Sequence, residues 1–511
     1  MTNNFVNSSN KTLGLFFFRI LRSILSIATL VLSAKYFGVS VERDAWLLAF
    51  NCLIVVDLAI WGPINETFRA KFIFIKGKEG EAVTIHRTAS LFIFTSLISI
   101  LLLLIILIFP DLVTSVIAPA RNEADSQILI RLLRILAPSL LFNQTNLLLS
   151  SILNAYNIFY IPEIVGFISS ILNIVFLIAL VPSLGIYSLA VSYYLGLVIL
   201  LGLLIYQVKK HNIPLFRKPI VFDFKYVKPY ILFALPFFFP YFMGQLNAIA
   251  EKSFASLIGN GTVSIIDYSR RFIEVPIVVL TSVLSTILVP ILSHKFAENN
   301  MTEFKQEFKT IFHLGLFLLG SLLTFFVLGA SDVVTLLYNH KQMDTASLAI
   351  IAKLTTSYAV SGIAIYFYSI VGLSLLSANR AKVYAVCGVS AQLLMLLSNF
   401  LLYKRFGVFT FPVSVTLSHL AAALIMTFTF TSLSRDILKS ALYYGLFTLL
   451  LVTIAYFSNA YVFSNLNNSL IISLILKAGF LTIVITSLIF LFKMDERNFL
   501  LNAVKKLKSY K

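Results

Sequence analysis

A charged segment interrupts an otherwise apolar region near the middle of the chain. Tyr268–Pro276 contains Arg270, Arg271 and Glu274, and the apolar run Ile277–Pro290 follows it. Charged side chains are costly inside a membrane, so those that occur there face a water-filled cavity or a partner. Arg271 and Glu274 are three residues apart, which places them on one face of a helix. The spacing predicts a polar site in a membrane cavity, and an ion pair that anchors a helix end at the membrane interface is the alternative.

Two further arginines, Arg19 and Arg22, lie in the first apolar stretch and are also three residues apart. They are roughly 8–12 Å inside this stretch, at 1.5 Å per helical residue. Arginine side chains at that depth can extend to the cytoplasmic interface, which is one interpretation. The other interpretation is that they face the same cavity as Arg271 and attract an anion.

The second apolar stretch contains Asp57 near its middle and Glu66 at its end, with Gly62 and Pro63 between them. An ionised carboxylate at mid-span is expensive, so Asp57 is predicted to be protonated, paired or hydrated. Pro63 removes a helical hydrogen bond and is predicted to bend or end the helix. Asp57, Glu66 and Glu274 are the candidates for coupling to an ion or a proton.

Composition places the chain in a membrane. Hydrophobic residues make up 59% of it and charged residues 12%, and the mean hydropathy is +0.92, whereas a soluble domain carries about 25% charged residues. The net charge of +18 comes from lysines and arginines in short loops. This placement indicates membrane topology and contact with anionic lipids rather than nucleic-acid binding. Cys52 and Cys387 lie in apolar runs and the histidines are scattered, so neither a disulfide nor a metal site is expected.

The apolar stretches predict an all-α integral membrane protein with about fourteen transmembrane helices, because about 20 apolar residues cross a bilayer. The predicted spans are residues 13–37, 45–66, 88–109, 131–152, 161–182, 185–207, 229–258, 266–293, 310–337, 348–376, 382–403, 408–432, 438–458 and 468–492. The loops are too short to form a catalytic domain, and a glycine-rich phosphate-binding loop is not apparent. We therefore expect a secondary transporter without a cofactor rather than an enzyme.

Basic residues in the loops predict the orientation. With the N-terminus in the cytoplasm, the cytoplasmic loops carry many more lysines and arginines than the opposite loops, as the positive-inside rule requires. Both termini are therefore expected in the cytoplasm. The basic loop 207–228 divides the first twelve spans into two sets of six, which predicts two parallel lobes. The predicted divisions are an N-terminal lobe (1–210), a C-terminal lobe (211–435), and two extra helices with a basic tail (436–511).

Several motifs together resemble those of one membrane family. They are Tyr36-Phe37-Gly38 with Asp44-Ala45, Leu133–Pro138, Leu153–Pro162 with Asn173, and Tyr268–Pro290 followed by Leu292-Ser293. Over about residues 13–430 the chain resembles the MurJ/MviN lipid II flippases of the multidrug/oligosaccharidyl-lipid/polysaccharide (MOP) exporter superfamily.

The resemblance implies two six-helix lobes around a V-shaped cavity, with helices thirteen and fourteen forming a groove for a polyprenyl tail. The implied cargo is lipid II, an undecaprenyl pyrophosphate that carries a disaccharide-pentapeptide. Alternating access would move it from the inner to the outer leaflet of the bacterial cytoplasmic membrane. The cell-wall or polysaccharide synthesis machinery is the implied protein partner.

The charged cavity residues of the family carry over in part. Arg271 and Glu274 match its eighth-helix arginine and glutamate, and Asp44 matches the aspartate after its first loop. Arg19 or Arg22 stands in for a first-helix arginine, with the register displaced by one residue.

Three positions depart from the family pattern. Thr29 stands where a second first-helix arginine is expected, Asp57 or Leu58 where a second-helix arginine is expected, and Arg270 where an acidic residue is expected. A relocated positive charge can still bind a pyrophosphate, since arginine forks suit phosphate oxygens. It is equally compatible with a different sugar on the same lipid.

The resulting hypothesis is that Arg271, with Arg270 and either Arg19 or Arg22, attracts the cargo pyrophosphate, while Glu274 pairs with the arginines in the empty site. Membrane potential or a Na⁺ or H⁺ gradient would drive transport. The departures favour one alternative, a flippase for O-antigen or capsular repeat units. A cation-coupled multidrug exporter, a membrane glycosyltransferase and a non-transporting scaffold are the others. The first of these would need an acidic cavity, and the second would need catalytic carboxylates on a large loop.

Overall fold

The computed structural model describes residues 2–119, 122–216, 222–283, 288–430, 433–463, 469–494 and 496–497; for residues 2–17, 19–20, 216 and 282–283 the description covers the backbone alone. Within these ranges every regular element is a helix. The α-helices in chain order are α1 (Thr2–Phe37), α2 (Val41–Glu79), α3 (Glu81–Ile108), α4 (Pro110–Ile117), α5 (Glu123–Leu136), α6 (Ser139–Ala155), α7 (Tyr160–Leu184), α8 (Tyr187–Lys210), α9 (Phe224–Ile258), α10 (Thr262–Val283), α11 (Val289–Ala297), α12 (Met301–Tyr338), α13 (Thr345–Ser377), α14 (Ala381–Phe406), α15 (Thr410–Thr429), α16 (Ser434–Ser458) and α17 (Leu470–Leu491).

In the described residues each predicted span falls on one helix or on two consecutive helices. Residues 284–287, 431–432 and 468 of the predicted spans lie outside the described residues. In the part of the chain that the structure describes, 11 helical stretches are long and apolar enough to cross a membrane. One of them, Ala381–Thr429, contains two predicted spans, and neither α1 nor α10 belongs to the set. The all-α membrane class is confirmed, whereas the count of fourteen stays a prediction.

Helix α2 continues through Pro63 and ends at Glu79, so the predicted helix end at Gly62-Pro63 does not occur. A proline is tolerated inside a membrane helix when neighbouring groups compensate for the lost hydrogen bond. Here α9 packs directly on this turn, because a Cβ on Gly62 would lie 2.4 Å from the ring of Tyr241. One turn beyond the proline, the hydroxyl of Thr67 donates to the carbonyl oxygen of Pro63 at 2.8 Å.

The first compact unit covers residues 1–264. Helix α2 is its central element and packs against α5, α6 and α9. The buried core includes Trp61, Phe68, Phe72 and Tyr230, and the rings of Phe68 and Tyr230 stack with centroids 5.4 Å apart. Helix α9 thus belongs to this unit by its contacts. The predicted division into lobes at 210/211 stays a prediction.

The second compact unit covers residues 265–511. Helix α13 is its most enclosed helix and packs against α12 and α15. Gly315 lets α12 approach α13 closely, because a Cβ there would lie 1.9 Å from Tyr366. The Tyr366 hydroxyl then donates to the carbonyl oxygen of Ile311 at 2.6 Å. The two extra C-terminal helices, α16 and α17, both pack on α12, so α12 anchors them to the rest of the unit.

Candidate substrate-binding site

Helix α10 brings together the charged residues of the central segment. Arg271 lies between two carboxylates, with its Nη1 atom 3.2 Å from Glu274 Oε2 and its Nη2 atom 3.7 Å from Asp267 Oδ1. These partners stand one helical turn to either side of it, at spacings i−4 and i+3. The predicted pairing of Arg271 with Glu274 is therefore present within one helix. Asp267 was missed, although its i,i+4 spacing from Arg271 is a signal that the sequence carries.

Arg270 points toward helix α13. Its Nη2 atom donates to the hydroxyl of Tyr358 at 3.2 Å, and its guanidinium lies 5.1 Å from the centroid of the Tyr358 ring. Its Nε atom is also 4.0 Å from Glu274 Oε1. A guanidinium over an aromatic face gains cation–π attraction without losing its charge. Arg270 is thus held in a fixed direction and keeps its positive charge.

Contacts on the opposite side of α10 fix the helix in its unit. The rings of Tyr268 and Tyr338 lie 4.9 Å apart, and Phe272 also packs against Tyr338. The hydroxyl of Ser269 donates to the carbonyl oxygen of Ile265 within α10 at 2.7 Å and lies 3.3 Å from that of Ile351 in α13. A binding site built on a helix held in this way keeps its geometry better than a site on a loop.

The α10 cluster (Asp267, Arg270, Arg271 and Glu274) contains two acids and two bases, so its net charge is zero. The side chains of Arg271 and Glu274 are each 40% exposed, and ion pairs at such exposure contribute only about 0–1 kcal/mol. A phosphate group can therefore replace the carboxylates as the partner of the arginines at little cost. Guanidinium forks match phosphate oxygens in geometry, so the cluster is suited to reversible phosphate binding.

Arg22, in the first unit, pairs with helix α7. Its Nη1 atom lies 3.3 Å from Glu163 Oε2. Gly166 allows this approach, because a Cβ at that position would lie 3.2 Å from the Arg22 guanidinium. The Arg22 side chain is 46% exposed, so it keeps access to solvent or ligand. The side chain of Arg19 lies outside the described residues, and the shared cavity of Arg22 and Arg271 stays a prediction.

Asp44 is buried, with 1% of its surface exposed. Its Oδ2 atom accepts from the backbone N–H of Gly261 at 2.7 Å, and its Oδ1 atom accepts from the N–H and hydroxyl of Ser264 at 2.8 and 2.6 Å. These N–H groups stand at the start of α10, where a helix has no internal acceptors for them. Asp44 therefore caps α10 from a distant helix, and its predicted role in substrate binding stays a prediction.

The two coupling candidates of α2 differ in environment. Asp57 is 4% exposed, and its Oδ1 atom is buried without a hydrogen-bond partner among the described residues. Such a carboxylate is stable when it is protonated or when it binds a small cation. Glu66 is exposed and accepts from the hydroxyl of Tyr241 at 3.3 Å. Burial thus distinguishes Asp57 as the stronger candidate.

Metal ligands are not clustered in the described part of the chain, where no group of three or more His, Cys, Asp or Glu residues could hold an ion. Cys52 and Cys387 are buried free thiols. The apolar helices and the charged cluster on α10 define a multi-pass helical membrane protein.

Comparison with known proteins identifies the family. The family model described as "Lipid II flippase MurJ" matches residues 33–487. A lipid II flippase MurJ of Burkholderia cenocepacia is 25% identical over 409 residues, which cover 76% of this chain and 77% of that protein. A probable lipid II flippase MurJ of Buchnera aphidicola subsp. Schizaphis graminum is 29% identical over 312 residues, or 56% of this chain and 59% of its own length. The chain belongs to the MurJ lipid II flippase family.

Solved structures agree in fold. A structure of lipid II flippase MurJ in an inward closed conformation has a TM-score of 0.75 at 20% identity, and the match covers 94% of this chain and 98% of that one. A multidrug resistance MATE family transporter of the MOP superfamily, in an inward-facing conformation, has a TM-score of 0.71 at 13% identity over 81% and 96% of the two chains. The predicted MOP-type fold is confirmed.

Proposed function

We propose that this protein is a flippase that moves lipid II across the bacterial cytoplasmic membrane, as the family to which it belongs implies. The family match over residues 33–487 carries this conclusion. The α10 cluster supports it, because a lipid pyrophosphate needs cationic donors within an apolar protein. The chain acts as a transporter and not as an enzyme, with both termini in the cytoplasm.

The α10 cluster supplies the binding step. In the empty site Asp267 and Glu274 form ion pairs with Arg271 and neutralise its charge. An arriving pyrophosphate exchanges with these carboxylates and takes the guanidinium donors of Arg270 and Arg271 in bidentate contacts. When the headgroup leaves, the carboxylates pair with the arginines again. This exchange keeps binding weak enough for release, as transport requires.

Deletion of one arginine tests the binding step. Each charge-assisted hydrogen bond contributes about 1.5–3 kcal/mol, so Arg271→Ala should lower cargo affinity by about 10- to 150-fold. Flipping by reconstituted protein in vesicles that contain lipid II measures this loss. Arg405→Ala is the matched control, because it removes an exposed arginine at the end of α14. Wild-type flipping by both Arg271→Ala and Glu274→Ala would remove the α10 cluster from the mechanism.

Complementation tests the cargo. Expression of this chain in a bacterium depleted of its own lipid II flippase should restore growth. A flippase for O-antigen or capsular repeat units would fail there and would instead flip undecaprenyl pyrophosphate with another sugar. The two results separate lipid II from the alternative cargo that the departures at Thr29 and Arg270 suggest.

We propose that transport is coupled to an ion gradient through Asp57, whose buried carboxylate can bind a proton or Na⁺. Asp57→Asn should abolish the acceleration of flipping by an imposed H⁺ or Na⁺ gradient, while Glu66→Gln should retain it. If Asp57→Asn responds to both gradients as the wild type does, energy enters elsewhere or only through the membrane potential. Anionic lipids and the cell-wall synthesis machinery are the proposed partners besides the cargo, and no nucleic acid or cofactor is involved.

A further inference from the structure

A crevice in the second unit holds charges that the proposed transport site does not use. It has a volume of about 410 Å³ and lies between α12, α13, the helical turn Asn459–Phe463 that follows α16, and the start of α17. Its polar wall includes Asp332, Lys353, Ser473 and Lys477, and its apolar wall includes Phe326 and Phe463.

One ion pair in this crevice is closed. Lys477 is 6% exposed, and its Nζ atom donates to Asp332 Oδ2 at 2.8 Å. The hydroxyl of Ser473 donates to the same oxygen at 2.6 Å. Removing either member would leave a buried charge alone, so this trio attaches α17 to α12. A cation that entered the crevice would have to compete with Lys477 for the carboxylate.

The second cation of the crevice is available. Lys353 is exposed, and among the described residues its ammonium forms no ion pair. With two lysines and one aspartate, the crevice has a net charge of +1. An anion, and not a cation, is therefore the ligand that its electrostatics favour.

The depth of these charges places the crevice near the lipid headgroups. Asp332, Lys353 and Lys477 lie roughly 9–12 Å from the adjacent helix ends, at 1.5 Å per residue. A lysine at that depth reaches the headgroup layer with its long side chain. Under the predicted topology this layer belongs to the outer leaflet. The apolar wall beside the lysine suits the acyl chain of a lipid. A free phosphate ion has no apolar part that could contact this wall.

We propose that this crevice binds the phosphodiester of an anionic membrane phospholipid, with Lys353 as the contact to the phosphate and the apolar wall as the contact to the lipid chain. The crevice is separate from the α10 cluster, and the inference does not depend on the nature of the transported cargo. A bound lipid would fill the space between α13 and α17 and would stabilise the attachment of the C-terminal helices.

Thermal unfolding of the purified full chain with added lipid tests this proposal. Short-chain phosphatidylglycerol should raise the melting temperature more than short-chain phosphatidylcholine at equal ionic strength. Lys353→Gln should weaken the phosphatidylglycerol effect by about twofold to fivefold in apparent affinity, because Lys353 is exposed and an exposed ion contact is weaker than a buried charge-assisted hydrogen bond. Lys341→Gln is the matched control, because it removes an exposed lysine of the adjacent α12–α13 connection that does not line the crevice.

The alternatives give different results. An equal effect of inorganic phosphate would show a free-anion site and overturn the lipid assignment. Equal responses to both lipids, or an undiminished phosphatidylglycerol response of Lys353→Gln, would overturn the proposal itself. Lys353→Arg keeps the charge and should retain the selectivity, so it separates loss of the contact from a general loss of stability.

Discussion

The buried carboxylate of Asp44 should stabilise the start of α10, and Asp44→Asn should reduce this local stability. Asp44→Asn keeps one oxygen for the donors of Ser264 but places an amide where Oδ2 now accepts from the N–H of Gly261 at 2.7 Å. A charge-assisted hydrogen bond worth about 1.5–3 kcal/mol is lost, and two donors then face each other in a buried site. We expect a total local cost of about 2–4 kcal/mol.

Amide hydrogen exchange measures this cost at the residues concerned. A local cost of about 2–4 kcal/mol corresponds to roughly 30- to 900-fold faster exchange at Gly261 and Ser264. Amides in the middle of α13 should keep their protection, which shows that the protein remains folded. The thermal midpoint of the variant in detergent should fall as well.

Asp344→Asn is the matched control. Asp344 also caps a helix through the N–H and hydroxyl of a serine, Ser347, at 2.7 Å for each contact, but it is exposed. Asparagine caps helices as well as aspartate does at exposed positions, so this variant should be nearly neutral. Equal effects of the two substitutions, or unchanged exchange at Gly261 in Asp44→Asn, would refute the argument that the buried cap stabilises the start of α10.

Two further predictions concern stability. The hydroxyl and N–H of Ser347 hold the pKa of Asp344 below its ordinary value of 3.8. A lowered pKa adds stability above pH 3.8 that is lost as the pH falls through the lowered pKa, so the wild type should lose its small advantage over Asp344→Ala in thermal midpoint in acid. An advantage that persists in acid would contradict this assignment. Gly315→Ala should destabilise the protein by about 1–3 kcal/mol through a clash with Tyr366. Gly445→Ala is the control, because a Cβ there meets nothing within 4 Å, and it should be neutral or stabilising by up to about 1 kcal/mol. Equal thermal midpoints for these two variants would show that the close approach of α12 and α13 is unimportant.

The sequence by itself determined the membrane class, the helices and the family resemblance. An apolar run of sufficient length crosses a bilayer as an α-helix, because its backbone polar groups must form hydrogen bonds within the segment. It also determined the pairing of Arg271 with Glu274, since helical spacing alone places these side chains on one face. Asp267 follows the same rule and was available to the same reasoning.

Contacts between distant helices were decided only by the tertiary structure. Asp44 accepts from Gly261, which lies 217 residues later in the chain at the start of α10, and Lys477 pairs with Asp332 across 145 residues. Hydrophobic periodicity shows which face of a helix is apolar but not which helix it meets. The partner of a buried charge therefore depends on packing, and so does its role as a helix cap, an anchor for α17 or a part of the binding site.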